Sequence, residues 1–236
     1  MATCRFHVPK DKIMTATLVS QTASNSATSL VAALVAAEGS GMHRYVTSHD
    51  LLAGKHSPRN LADAVHHLCI LHGRHPGVAD HAANHTAHDE ARVWLIDTVD
   101  AFIRERTYLT RLVVAAGPLP STPAQSESES AVNGQRHALE MLAQSDRNGC
   151  ALGAAMALVL DWDAVRSVLD AAGRRFSVDS PSSMIPDMAT TIDLAALVSA
   201  SPAMERAISF GAQQILAQHR GLWDLLEARQ SARGEY

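Results

Sequence analysis

An all-α fold, a single helical bundle of about six or seven helices, is what the sequence predicts, and three observations predict it. Apolar residues make up 47% of the 236 residues but aromatics only 4%. A core poor in Phe, Tyr and Trp but rich in Ala and Leu suits helices packed at close range, because Ala has the highest helix propensity while sheets draw on aromatic and branched residues. Helix start and stop signals recur from one end of the chain to the other. No segment alternates apolar and polar residues over a strand's length, no Asn-Gly pair joins strand-like runs, and no internal repeat is visible.

Ala27 to Glu38 is a run of small and aliphatic residues stopped by Gly39-Ser40-Gly41, whereas Thr15 to Ser29 is too rich in Ser and Thr to assign. Ser57-Pro58 opens a helix that runs through Leu61, Ala64, Val65 and Leu68 to Gly73, and His75-Pro76-Gly77 is a compact turn. The longest periodic segment follows, from Val78 to Ala116, ending at Gly117-Pro118. Unbroken, it would be about 58 Å long, so a kink or break within it is expected. Thr122-Pro123-Ala124-Gln125 has the pattern of a capping box for a helix reaching Asn148-Gly149. From Cys150 to Leu160 every residue is apolar or Gly, which places the segment in the middle of the domain, and Asp161 reads as the cap of its continuation, Trp162 to Ala172. A short helix around Thr191 to Val198 and a long one capped by Ser201-Pro202 complete the set. The organisation expected is one helical domain over residues 1–236, with a histidine-rich helical hairpin at about 58–116 and loops at about 39–57, 117–122 and 177–190.

A chain of this length builds a core without staples, so no cofactor is needed merely to fold. The net charge is −4 and no basic run exceeds Arg174-Arg175, which argues against nucleic acid as a partner. The three cysteines, Cys4, Cys69 and Cys150, are far apart and in no C-x-x-C spacing, so neither a disulfide framework nor a thiolate zinc site is indicated. Arg5, His7, Lys10, Asp11 and Lys12 lead into no apolar leader segment, and Leu30 to Ala37 is too short to span a bilayer. The expectation is a cytoplasmic protein with no membrane partner.

Ten of the thirteen histidines fall between His43 and His88. His81, His85 and His88 stand at i, i+4 and i+7, on one face of the long helix, and the same spacing continues through Arg92, Leu95, Val99, Phe102, Arg106, Leu109 and Val113. A stripe that runs into an apolar seam points inward. On the preceding helix Asp63 and His67 are at i and i+4 with His66 beside them. If the turn folds the two helices antiparallel, Asp63, His66 and His67 come opposite His81, His85 and Asp89. Asp63, His67, His81, His85 and Asp89 then form a ligand set suited to iron, zinc or manganese, with His66 or His88 as a proton shuttle. His137, Glu140, Asp146 and His219 are further candidates to complete or support such a site. The plainer reading of these imidazoles is helix residues bonded to the backbone or a solvated hairpin. No phosphate-binding loop, nucleophile elbow or H-E-x-x-H motif is present.

The segment His49-Asp50-Leu51-Leu52-Ala53-Gly54-Lys55-His56-Ser57-Pro58, followed by His66-His67-Leu68-Cys69-Ile70-Leu71-His72-Gly73-Arg74-His75-Pro76-Gly77, resembles a family of uncharacterised bacterial all-helical proteins, a likeness that transfers no activity. More loosely the chain is similar to ferritin-like and haem-oxygenase-like di-iron bundles, although their Glu-x-x-His pairs are absent and Asp63-x-x-His66 is the nearest equivalent. Two functions follow as expectations. One is a metal-binding bundle, a non-haem iron oxidase or metal-dependent hydrolase built on the His/Asp set. The other is a non-enzymatic interaction or regulatory bundle with a histidine-rich, partner-binding or pH-responsive surface. A histidine-lined pocket for an organic ligand or haem is a third reading. The partner is a small molecule or a protein, and a homo-oligomer is compatible with all three.

Overall fold

The wholly apolar stretch from Cys150 to Val159 has no side that tolerates water, and the molecule is built around it. The structure is a computed structural model that describes residues 30–86, 88–199 and 201–234. In it every residue from Cys150 to Val159 is buried. Among the described residues there are nine α-helices: α1 (30–38), α2 (His49–Leu52), α3 (Ser57–His72), α4 (Val78–His85), α5 (Asp89–Ala116), α6 (Gln125–Ala143), α7 (Cys150–Phe176), α8 (Met188–Val198) and α9 (Pro202–Gly234). A 3-10 turn at Ser40–Met42 follows α1. No strand occurs among these residues, and no helix among them is long and apolar enough to cross a membrane. Thr15 to Ser29 and Cys4 lie outside the described residues.

The all-α expectation holds, but the count is nine rather than six or seven, for two reasons. One turn of helix, α2, forms inside the 39–57 loop, where the Ser48 side chain accepts the Leu51 N–H and caps it. The long segment from Val78 to Ala116 is also two helices. Thr86 and His88 are extended, with ψ of 135° and 120°; His85 closes α4, and Asp89 and Glu90 open α5, where their carboxylates suit the positive end of the helix dipole. The expected break therefore falls in the middle of the histidine stripe.

Three caps differ from expectation. α6 starts after Ala124, which is left-handed at φ 56°, and no side chain caps it. Thr122 is buried instead, its Oγ accepting from Arg229 and Arg233. α6 ends at Ala143, not at Asn148-Gly149, and Asp161 is not a cap, because α7 runs through it without interruption. Ser201 does cap α9, accepting the Met204 N–H at 3.2 Å.

α7 and α9 form the most extensive helix pair, and glycine permits it. A Cβ at Gly153 would collide with the Ile208 carbonyl, and one at Gly211 with the Cys150 carbonyl, so the two backbones touch there. Around this pair, α3 packs on α5, α6, α7 and α9, while α4 packs on α5, α6 and α7. The predicted pairing of α3 along α4 as a hairpin is thus replaced by two helices that each lean on α5. Five helices, α3 to α7, meet at the His75-Pro76-Gly77 turn and enclose a cleft.

Candidate functional site

The polar residues of α7 and α9 locate the site. Asp161 is 2% exposed in an otherwise apolar stretch, and a buried carboxylate needs donors on every side. It has them: the Ser40 N–H and O–H at 2.6 Å each, and His219 Nδ1 at 2.6 Å. Trp223 Nε1 in turn donates to Ser40 Oγ at 2.9 Å. Burial alone would raise the Asp161 pKa, but the bonds from His219 and Ser40 outweigh it and hold the carboxylate below its ordinary value.

Because His219 donates from Nδ1 to a carboxylate, its Nε2 is the lone-pair nitrogen when the ring is neutral. That nitrogen faces His72 Nε2 at 2.9 Å. The two rings are edge to face, and Trp162 stands edge-on to His72 at 5.4 Å between centroids. Burial, reinforced by the nearby His219 and by the Arg106 cation, keeps His72 far below the usual imidazole range, so it is neutral at pH 7. Ser40, Asp161, His219 and His72 therefore form one hydrogen-bonded chain across α7, α9 and α3.

His72 lines the cleft, together with His81, Arg106, Arg136 and Glu140, against an apolar wall of Leu71, Val78, Phe102, Leu139 and Leu158. The cleft is narrow, about 30 Å3, room for roughly two waters or the head group of a small ligand. Asp80 fixes its rim. As the N3 residue of α4 it accepts the Gly77 N–H at 2.7 Å and Arg106 Nη1 at 3.1 Å. Arg136 pairs with Glu140 one turn along α6. Each arginine nevertheless keeps one buried nitrogen without a partner, Nη2 of Arg106 and Nε of Arg136. Two cationic donors left unsatisfied in one cleft favour an anionic oxygen there.

Of the residues singled out from the sequence, only His81 and Glu140 line this cleft. Asp63 and His67 are adjacent, His67 Nδ1 donating to the Asp63 carbonyl at 2.8 Å, but the Asp63 carboxylate is bracketed by Arg229 (2.9 and 3.1 Å from Nε) and Arg233 (2.6 Å). Two guanidinium groups occupy the oxygens that a metal would need. His66 donates to the Gly117 carbonyl at 2.8 Å at the end of α5. His85 is exposed and lines a separate opening with Asp146, and Asp89 is exposed at the start of α5. His88 stands half-buried at the N-cap position of α5 without a side-chain bond to the helix, and His137 lies on the surface 3.7 Å from Glu140. The structure does not gather the five predicted ligands. Among the described residues the one metal-capable trio is His43, Asp224 and Glu227 on the surface, where His43 already pairs with Asp224 and Arg44 with Glu227.

His219, a supporting candidate from the sequence, belongs to this relay, and two signals in the sequence mark it and Asp161. Asp161 interrupts an apolar helix, and His219 falls on the buried seam Ile208, Ala212, Ile215, Leu222 and Leu226. His72, at the end of α3, carries no such signal, since only the tertiary fold sets its ring against that of His219.

Fold and site together define an all-helical bundle in which a buried carboxylate–imidazole–imidazole chain ends at an arginine-lined cleft. The chain belongs to the family described as "family of unknown function (DUF6975)", whose model matches residues 35–234, in keeping with the resemblance to an uncharacterised helical family. No curated protein and no solved structure matches it.

Proposed function

We propose that the cleft is the active site of an acid–base enzyme acting on a small substrate that carries a carboxylate or phosphate group. The observation that supports this is the unbroken run of 2.6 Å and 2.9 Å contacts from Asp161 through His219 to His72, beside two arginines with unpaired N–H groups. Arg106 and Arg136 hold the anionic head group. His72, neutral and with Nε2 committed to His219, takes a proton from the substrate at Nδ1. The proton on its Nε2 passes to His219 Nε2, and the imidazolium that results is stabilised by Asp161 behind it. Nitrogen NMR of labelled histidines during titration with inorganic phosphate, sulfate and malonate tests this. A saturable change in the His72 resonances, lost in Arg106→Gln/Arg136→Gln, is expected. No response to any of the three anions, or an unchanged response in the double variant, overturns it.

The same pair of rings favours a second reading, in which the protein is a metalloenzyme. Two imidazole nitrogens 2.9 Å apart, one of them oriented by a carboxylate, resemble two ligands of a divalent ion with Asp161 as the supporting group, since ligand nitrogens at about 2.0–2.1 Å from zinc sit only slightly further apart. Iron, zinc or manganese fits such a pair. Protein reconstituted with cobalt should then show visible d–d bands that disappear in His72→Gln and in His219→Gln, and a colourless wild type rules this out. Under either reading the place of action is the cytoplasm, a proposal that the free Cys69 and Cys150 support among the described residues.

A further inference from the structure

α5 and α8 meet the segment 184–187 along a second opening, a groove of about 880 Å3. Its floor carries apolar side chains that water reaches: Val93 is 64% exposed, Met184 59% and Leu197 60%. Its rim is acidic, with Glu90, Asp97, Asp100, Asp187 and Asp193 set against one cation, Arg104. Asp187 is engaged, accepting the Thr190 N–H as the cap of α8. The other four acids form no ion pair among the described residues. Trp94 closes the groove from below, 5% exposed, and its Nε1–H is buried without an acceptor.

An apolar floor between unpaired carboxylates is complementary to an apolar stripe flanked by Lys and Arg. We propose that this groove docks a cationic amphipathic helix of a partner protein. The helix sets its apolar face on Val93, Met184 and Leu197 and its basic residues against Glu90, Asp97, Asp100 and Asp193. The 11 residues of α8 span about 16 Å, the length of three helical turns, and α5 runs further still. A second copy of the chain related by a two-fold axis brings the same acidic rim and is repelled. Such docking is independent of the chemistry in the cleft.

Fluorescence anisotropy of a labelled amphipathic Leu/Lys peptide of about 14 residues tests the proposal, with a Leu/Glu peptide of the same pattern as control. Saturable binding of the Leu/Lys peptide alone is expected, weakened about tenfold or more by Asp97→Lys/Asp100→Lys and likewise by Val93→Ser/Leu197→Ser. All four positions are exposed, and circular dichroism verifies that the variants fold. No binding to the wild-type chain, equal binding of the two peptides, or undiminished binding by both double variants overturns it. So does a dimer in sedimentation of the chain alone that Leu197→Asp dissociates, since the occupant is then a second copy.

Discussion

At the scale of single residues, the histidines differ in what their rings touch, and that difference sets how stability responds to pH. His67 is 0% exposed, and burial lowers its pKa as it lowers that of His72. Between their folded values and about 6.5 the unfolded chain holds two protons that the native chain does not, so stability rises with pH through that window. Urea unfolding from pH 7 down to pH 5 should show stability falling, each ring contributing at most about 1.4 kcal/mol per pH unit, and His72→Gln should make the slope shallower. Asp161 acts in a separate window. Its folded pKa is depressed, so its contribution is present above the unfolded value near 3.8 and fades as pH falls below it. Replacing Asp161 by Ala strands two Ser40 donors and His219 Nδ1 inside the core and should cost about 3–5 kcal/mol, read from the shift in urea midpoint.

At the scale of elements, the α7–α9 contact is where helix propensity and packing disagree. Ala in place of Gly inside a helix ordinarily stabilises by about 1 kcal/mol. At Gly153 and Gly211 the added methyl meets a carbonyl of the facing helix, so Gly153→Ala and Gly211→Ala should each destabilise by about 1–3 kcal/mol. Because these contacts carry His219 toward His72, the same substitutions should also perturb the His72 resonances, which Gly134→Ala, where nothing lies within reach, should leave alone. A second tie joins α5 and α7 to the 177–187 loop: Arg166 reaches Glu105, Asp170, Ser180 and the Pro181 carbonyl, and Trp162 donates to Glu105 at 3.0 Å. That buried pair holds the loop that forms one wall of the acidic groove. Arg166→Met leaves Glu105 buried and unpaired and should loosen the loop, and Arg166→Met with Glu105→Leu should restore most of the lost stability.

At the scale of the whole molecule, one apolar core joins all the long helices, from Val31 in α1 to Leu226 in α9. Unfolding followed by tryptophan fluorescence and by far-ultraviolet circular dichroism should therefore give coincident transitions, and separated midpoints would show that the core is divided. Trp94, Trp162 and Trp223 sit in α5, α7 and α9 and so sample three parts of that core.

The sequence by itself determined the helical class, the buried first half of α7, the end of α3, the N-cap of α9 and the presence of a break near the histidines, because each depends on spacing or on residues within one turn. It did not determine which imidazoles meet. Density along the chain drew attention to Asp63, His67, His81, His85 and Asp89, yet the extended residues at Thr86 and His88 break the stripe between His85 and Asp89, and Arg229 and Arg233, more than 160 residues on, occupy Asp63. His72 and His219 are 147 residues apart and touch through their Nε2 atoms. Contacts of that separation arise from how α3, α7 and α9 pack, and no local pattern encodes them. The tertiary structure alone decided that the buried carboxylate on α7 and the imidazole on α9 lead to the cleft.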